Sequence, residues 1–123
     1  MRELYDAAER KDYAAFAALF TDGGAFTDQA TGYVFSGPIE LVRAVEIFAT
    51  AMPDMHRAIY DFYETGDRVI VELALIGTSA GPREIPGVGF VSPTGKSIEA
   101  PCCDVFHFDK GKVASLHCYH EIR

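Results

Sequence analysis

Apolar residues recur first at helical spacing and later at every second position. Leu4, Ala7 and Ala8 give a short helix over residues 2–10 one apolar side, with Tyr5 beside it. Asp12 is placed to cap a second helix reaching about Phe20, with Tyr13, Phe16, Leu19 and Phe20 as its apolar set; Gly23–Gly24 is expected to end it. Two short strands, 25–28 and 33–35, flank the turn Gln29-Ala30-Thr31-Gly32. Ser36-Gly37-Pro38 opens the longest helix. Leu41, Val45, Phe48 and Met52, at spacings of four, three and four, mark its buried face, and Pro53 stops it.

From His56 onward the period is two. Residues 59–64, 68–78, 96–108 and 112–122 read as strands, joined at Gly66-Asp67 and at Asp109-Lys110-Gly111. Residues 79–95 are rich in Gly and Pro and read as a long surface loop, the kind that often lines a binding site. Helices first and antiparallel strands later predict an α+β fold. The expected architecture is one domain over residues 1–123: a cone-shaped α+β barrel, its strongly curved, mostly antiparallel sheet wrapped around about three N-terminal helices. The open end of such a cone is a natural pocket.

Composition narrows the partners. A chain of 123 residues, 49% of them hydrophobic, is long enough for one real core. A formal net charge of −7 argues against a nucleic-acid footprint and against attraction to anionic membranes. Three cysteines (Cys102, Cys103 and Cys118) are an odd count and give no disulfide framework. No apolar run approaches membrane length and no apolar signal core follows Met1-Arg2-Glu3, so a cytoplasmic home is expected. A small hydrophobic molecule remains as the ligand class.

The candidate chemistry centres on Asp104. It is in phase with Phe106 and Phe108, so a carboxylate shares an aromatic face, where it is either tied down structurally or a functional acid. Cys118 and His120 share one strand face with Leu116, which allows inert packing, a thiolate pair, or a pocket acid–base histidine. Asp28 by itself reads as a cap of the turn that follows it. His117 and His120 fall on opposite faces, so no metal is expected. Tyr13, Phe16, Phe48, Met52, Tyr60, Phe106 and Cys118 form the expected substrate-contact set.

Several segments in order carry a resemblance. Ala18-Leu19-Phe20-Thr21-Asp22, Ser36-Gly37-Pro38, Met52-Pro53-Asp54, Gly66-Asp67-Arg68-Val69, Pro93-Thr94-Gly95-Lys96 and Asp104-Val105-Phe106-His107-Phe108 with Gly111-Lys112-Val113 resemble the nuclear-transport-factor-two-like superfamily. Within it, the chain is similar to the SnoaL-like polyketide cyclases and the steroid Δ-isomerases, over nearly its whole length. The isomerase resemblance implies general acid–base catalysis without a cofactor, moving a proton α to a carbonyl of a hydrophobic cyclic substrate. It makes Asp28 the base, Asp104 the acid or oxyanion donor, and His120 or a tyrosine the helper. The isomerase pattern is the one in which an apolar site keeps a carboxylic acid neutral.

The chain departs from its relatives at two places. Cys118 stands where the cyclases carry their aspartate, and Leu4 where the isomerases carry an oxyanion-hole tyrosine, leaving Tyr33 or Tyr60 to supply that hydroxyl. These departures keep two alternatives: a non-catalytic ligand-binding module or dimeric scaffold, and an epoxide-hydrolase-like enzyme that needs an Asp-Arg-Asp set with Arg43, Arg57, Arg68 or Arg83. The resemblance also implies a homodimer.

Overall fold

The computed structural model describes residues 1–122. Its helices are α1 (Arg2–Glu9), α2 (Tyr13–Ala18) and α3 (Gly37–Ala51). The strands are β1 (Phe20–Asp28), β2 (Tyr33–Ser36), β3 (His56–Thr65), β4 (Arg68–Thr78), β5 (Arg83–Ile85), β6 (Gly89–Val91), β7 (Ser97–Asp109) and β8 (Lys112–His120). Six strands form one sheet in the order β2-β1-β8-β7-β4-β3, with β1 and β8 parallel and the other pairs antiparallel. The fold is therefore the expected α+β cone, a curved sheet with three helices.

Local chemistry explains the elements. Asp12 caps α2, its Oδ1 accepting from the Ala15 N–H at 3.1 Å. Lys110 and Gly111 both have positive φ, which gives the β7–β8 hairpin a two-residue turn that matches strand twist. α1 buries Leu4, Tyr5, Ala7 and Ala8, a face wide enough to hold two consecutive large side chains against the core.

Two local expectations change. Gly23–Gly24 do not end a helix; α2 stops at Ala18, and the glycines lie inside β1 where its pairing with β8 slips between Phe20 and Ala25. A Cβ at Gly24 would sit 2.9 Å from the Val113 carbonyl oxygen, so only glycine lets β1 pass this close to β8. Residues 79–95 are not structureless; they contain the β5–β6 hairpin, which Arg43 of α3 grips through Glu84.

Register builds the interior. Asp28, Cys118, Asp104 and Val71 are direct neighbours on β1, β8, β7 and β4, and form one row across the sheet. Phe26, Leu116, Phe106 and Val69 form the parallel row two residues away. The sheet's alternation puts both rows on the face that packs against the helices, so two carboxyl groups enter a core built of Leu4, Phe16, Leu41, Leu73, Phe106 and Leu116.

Candidate active site

A small cavity of about 30 Å³ lies between the sheet and the helices. Tyr5, Phe16, Phe48, Arg57, Asp104 and Cys118 are among its lining side chains. Asp104 is 5% exposed. The Tyr5 hydroxyl donates to its Oδ2 at 2.7 Å, and the Cys102 thiol lies 3.6 Å from its Oδ1. Burial pushes the Asp104 carboxyl up; contacts with Tyr5 and Cys118, the Arg57 charge and Cys102 pull down by less. Burial, then the Asp104 charge and hydrogen bond, push the Tyr5 phenol far above its ordinary range.

The second carboxyl is set differently. Asp28 Oδ1 accepts from the Ala30 N–H at 3.0 Å, which is the turn cap foreseen from sequence. The same oxygen lies 3.0 Å from His120 Nε2. That oxygen is off the line of the ring N–H, so the contact is a close polar approach rather than an aligned hydrogen bond. The Ile122 N–H donates to His120 Nδ1 at 3.2 Å, which leaves the ring proton on Nε2, facing Asp28. Burial pushes the Asp28 carboxyl up, but His120, the Ala30 N–H and the Arg83 charge together carry it below the ordinary value. Both Asp28 contacts fall on Oδ1, so Oδ2 is the atom open to a proton.

The sequence-predicted site residues divide into three groups. Asp104, Phe16, Phe48 and Cys118 line the cavity. Asp28 and His120 pair with each other beyond it, with the His120 ring edge-on to Phe48 at 5.7 Å. Four expected contact residues are elsewhere. Tyr60 is 65% exposed because it falls at the register slip between Ile59 and Asp61 in β3. Met52 ends α3 and is buried in the core; Phe106 is fully buried, stacked on Phe108 and edge-on to Tyr5; Tyr13 is half-buried on the first turn of α2. None of residues 79–95 lines the cavity.

Three residues enter that the sequence reading did not place there. Tyr5, not Tyr33 or Tyr60, meets Asp104; the Tyr33 hydroxyl donates instead to Glu40 at 2.9 Å. Because α1 buries both Leu4 and Tyr5, the one-residue offset from the isomerase pattern does not move the phenol out of reach. Arg57 lines the cavity with its guanidinium 5.5 Å from the centre of the Tyr5 ring, whereas Arg43 and Arg83 are engaged by Glu40, Glu84 and the Ile122 carbonyl oxygen. Cys102 touches both Asp104 and Cys118, and its spacing of two from Asp104 was the available signal.

Cys118 is a protonated thiol rather than a thiolate. Its contact with Cys102, then burial and the Asp104 charge, hold it well above its ordinary value, and His120 meets Asp28 instead.

No curated protein matches the chain in sequence. Solved structures do match its fold. A protein with a ketosteroid isomerase-like fold from Catenulispora acidiphila, solved with trimethylamine, superposes with a TM-score of 0.81 at 18% identity, covering 98% of this chain and 84% of that one. A protein assigned as a SnoaL-like polyketide cyclase from Jannaschia sp. CCS1 gives 0.83 at 18% identity, covering 98% and 81%. SalBIII, an epoxide hydrolase/cyclase-like enzyme of pyran ring formation in the polyether salinomycin, gives 0.78 at 18%, covering 98% and 87%. No helix of the described residues is long and apolar enough to cross a membrane. Residues 1–116 match the SnoaL-like domain, and the chain belongs to that family.

Proposed function

We propose that this protein is a cofactor-independent enzyme that moves a proton α to a carbonyl of a hydrophobic cyclic substrate. One observation carries the reading: two buried carboxyl groups, Asp28 and Asp104, stand two strands apart in one row of the inner face. Strand spacing puts their backbones about 10 Å apart, enough for part of a flat ring between them. Their surroundings push them in opposite directions. That is the division acid–base chemistry on one substrate requires.

In this reading Asp28 Oδ2 takes the α proton and the C–H electron pair becomes the enolate. The enolate oxygen accepts a hydrogen bond from the Asp104 carboxyl, which Tyr5 holds in place. Asp28 then returns the proton at a second carbon, giving an isomer, or the enolate carbon attacks another carbonyl and closes a ring, and the alkoxide formed takes the proton back from Asp28. His120 holds Asp28, and Phe48, between the cavity and that pair, is the side chain that has to move. The test is turnover of a panel of steroid, anthracyclinone-like and terpenoid enones. Asp28→Asn and Asp104→Ala should each lose about 10²-fold or more on a confirmed substrate. Full activity in both variants would reject the assignment.

A second reading has its own observation. A cavity of about 30 Å³ holds roughly one water and not a substrate, which favours a ligand-binding or scaffold protein unless the core opens. Failure of every enone in the panel, together with ligand-induced stabilisation by an apolar molecule, would favour it. Either reading accommodates a homodimer in a reducing, cytoplasmic setting. Tyr60, Tyr63 and Tyr119 are 65%, 47% and 48% exposed, the kind of aromatic surface a second copy would cover; a monomer by sedimentation would reject that.

A further inference from the structure

We propose that Cys102, Asp104 and Cys118 form a binding site for one thiophilic divalent cation of the zinc class. The three side chains are buried on the inner faces of β7 and β8, and their ligand atoms all lie within 4.8 Å of one another. Cys102 Sγ is 3.7 Å from Cys118 Sγ and 3.6 Å from Asp104 Oδ1. A tetrahedral zinc with bonds of about 2.3 Å to sulfur and about 2.0 Å to oxygen needs edges of about 3.8 Å and about 3.5 Å. Those two separations match the edges of a metal polyhedron, and the third pair of ligand atoms lies within 4.8 Å.

The surroundings complete the set. Asp104 and Cys118 line the cavity, whose 30 Å³ is room for one water as a fourth ligand. Two thiolates and a carboxylate carry three negative charges, a divalent ion returns two, and Arg57 on the cavity wall supplies the third. The bound cluster is thus neutral within an apolar shell, where an uncompensated charge would be costly. Zinc takes its sulfur ligands as thiolates, so binding is expected to release protons. The histidines are not involved: His120 is committed to Asp28 and the Ile122 N–H.

The site shares Asp104 with the proposed enzyme chemistry, so a bound cation and an Asp104 that donates its proton exclude one another; the site rests on separate distances, and its test uses no turnover. The reduced, chelator-treated full chain is titrated with Co²⁺. A 1:1 complex is expected, with a thiolate-to-cobalt charge-transfer band, intense tetrahedral visible bands and displacement by Zn²⁺. Cys102→Ser and Cys118→Ser should each abolish the charge-transfer band, and Cys103→Ser should retain it. Absence of the band in the folded wild type, or its survival in the Cys102→Ser/Cys118→Ser double variant, overturns the site. Should the serine variants not fold, proton release by the wild type on Zn²⁺ addition decides. Release of two or more protons per metal supports the site, and none rejects it. Cobalt bands in a protein that turns over no enone would leave the metal site standing and remove only the enzymatic reading.

Discussion

The Tyr5 hydroxyl donates to Asp104 Oδ2 at 2.7 Å across 99 positions of sequence, and so ties the first helix to the centre of the sheet. Removing that hydroxyl tests both stability and function. Tyr5→Phe leaves the ring packed but strips the carboxyl of its strongest partner. A buried polar group left without its partner costs about 1–3 kcal/mol. Denaturant unfolding of Tyr5→Phe should show a loss in that range, with an unchanged slope. On a confirmed enone substrate the loss should appear in kcat more than in KM.

Asp104 itself should oppose stability as pH rises. Its native pKa lies above the ordinary 3.8, so the native state binds a proton more tightly than the unfolded chain. The stabilisation is complete below the ordinary value and is lost as pH rises towards the raised native value. Asp104→Asn keeps an acceptor for Tyr5 and never ionises. Relative to wild type, it should gain stability as pH rises above the ordinary carboxyl value, at up to about 1.4 kcal/mol per pH unit. Unfolding curves followed upward from that value check it; a difference independent of pH would show that Asp104 does not titrate as proposed.

Asp28 should behave with the opposite sign. Its native pKa lies below the ordinary 3.8, so its ionised form stabilises the fold above that value and the contribution fades as pH falls through the depressed native value. Asp28→Asn should therefore destabilise at neutral pH, by about 1–3 kcal/mol because His120 and the Ala30 N–H lose a charged partner. The deficit should shrink in acid below the ordinary value. The test is the difference in midpoint denaturant concentration between variant and wild type, followed from neutral pH into acid.

What the sequence could and could not disclose follows from the kinds of spacing involved. The period of two placed Asp104 beside Phe106 on an inner face, and the spacings of Leu41, Val45 and Phe48 placed α3. Asp28 and Asp104 were paired only through the isomerase resemblance, yet their common row follows from register. Tyr5 was missed because counting along a helix predicts one face, whereas α1 is packed on two sides. Tyr60 came from the aromatic composition rather than from alternation, and at the bulge in β3 it lies on the surface. Cys102 entered the sequence reading only as one of an odd number of cysteines, although it touches Asp104 and Cys118 in the sheet. Local periodicity specifies faces; pairings across strands and between helix and sheet depend on register and on how deeply each element is seated.

Phe48 decides between a catalytic cavity that opens and a scaffold core that stays closed. It is half-buried, lines the cavity and packs edge-on against His120, so it separates the Asp104–Tyr5 pair from the Asp28–His120 pair. Phe48→Ala would join the two sites. A fully buried Phe→Ala change costs about 3–5 kcal/mol, and a half-buried one should cost less. If the interior is a substrate site, the variant should bind planar apolar ligands more tightly than wild type, visible as a larger ligand-induced rise in melting temperature. Catalysis should fall, because the ring no longer presses the substrate between the carboxyls. If the interior is only a core, the variant should lose stability without gaining affinity for any such ligand. The comparison needs no knowledge of the natural substrate, since it asks only whether joining the two carboxyl environments creates a place for a ring.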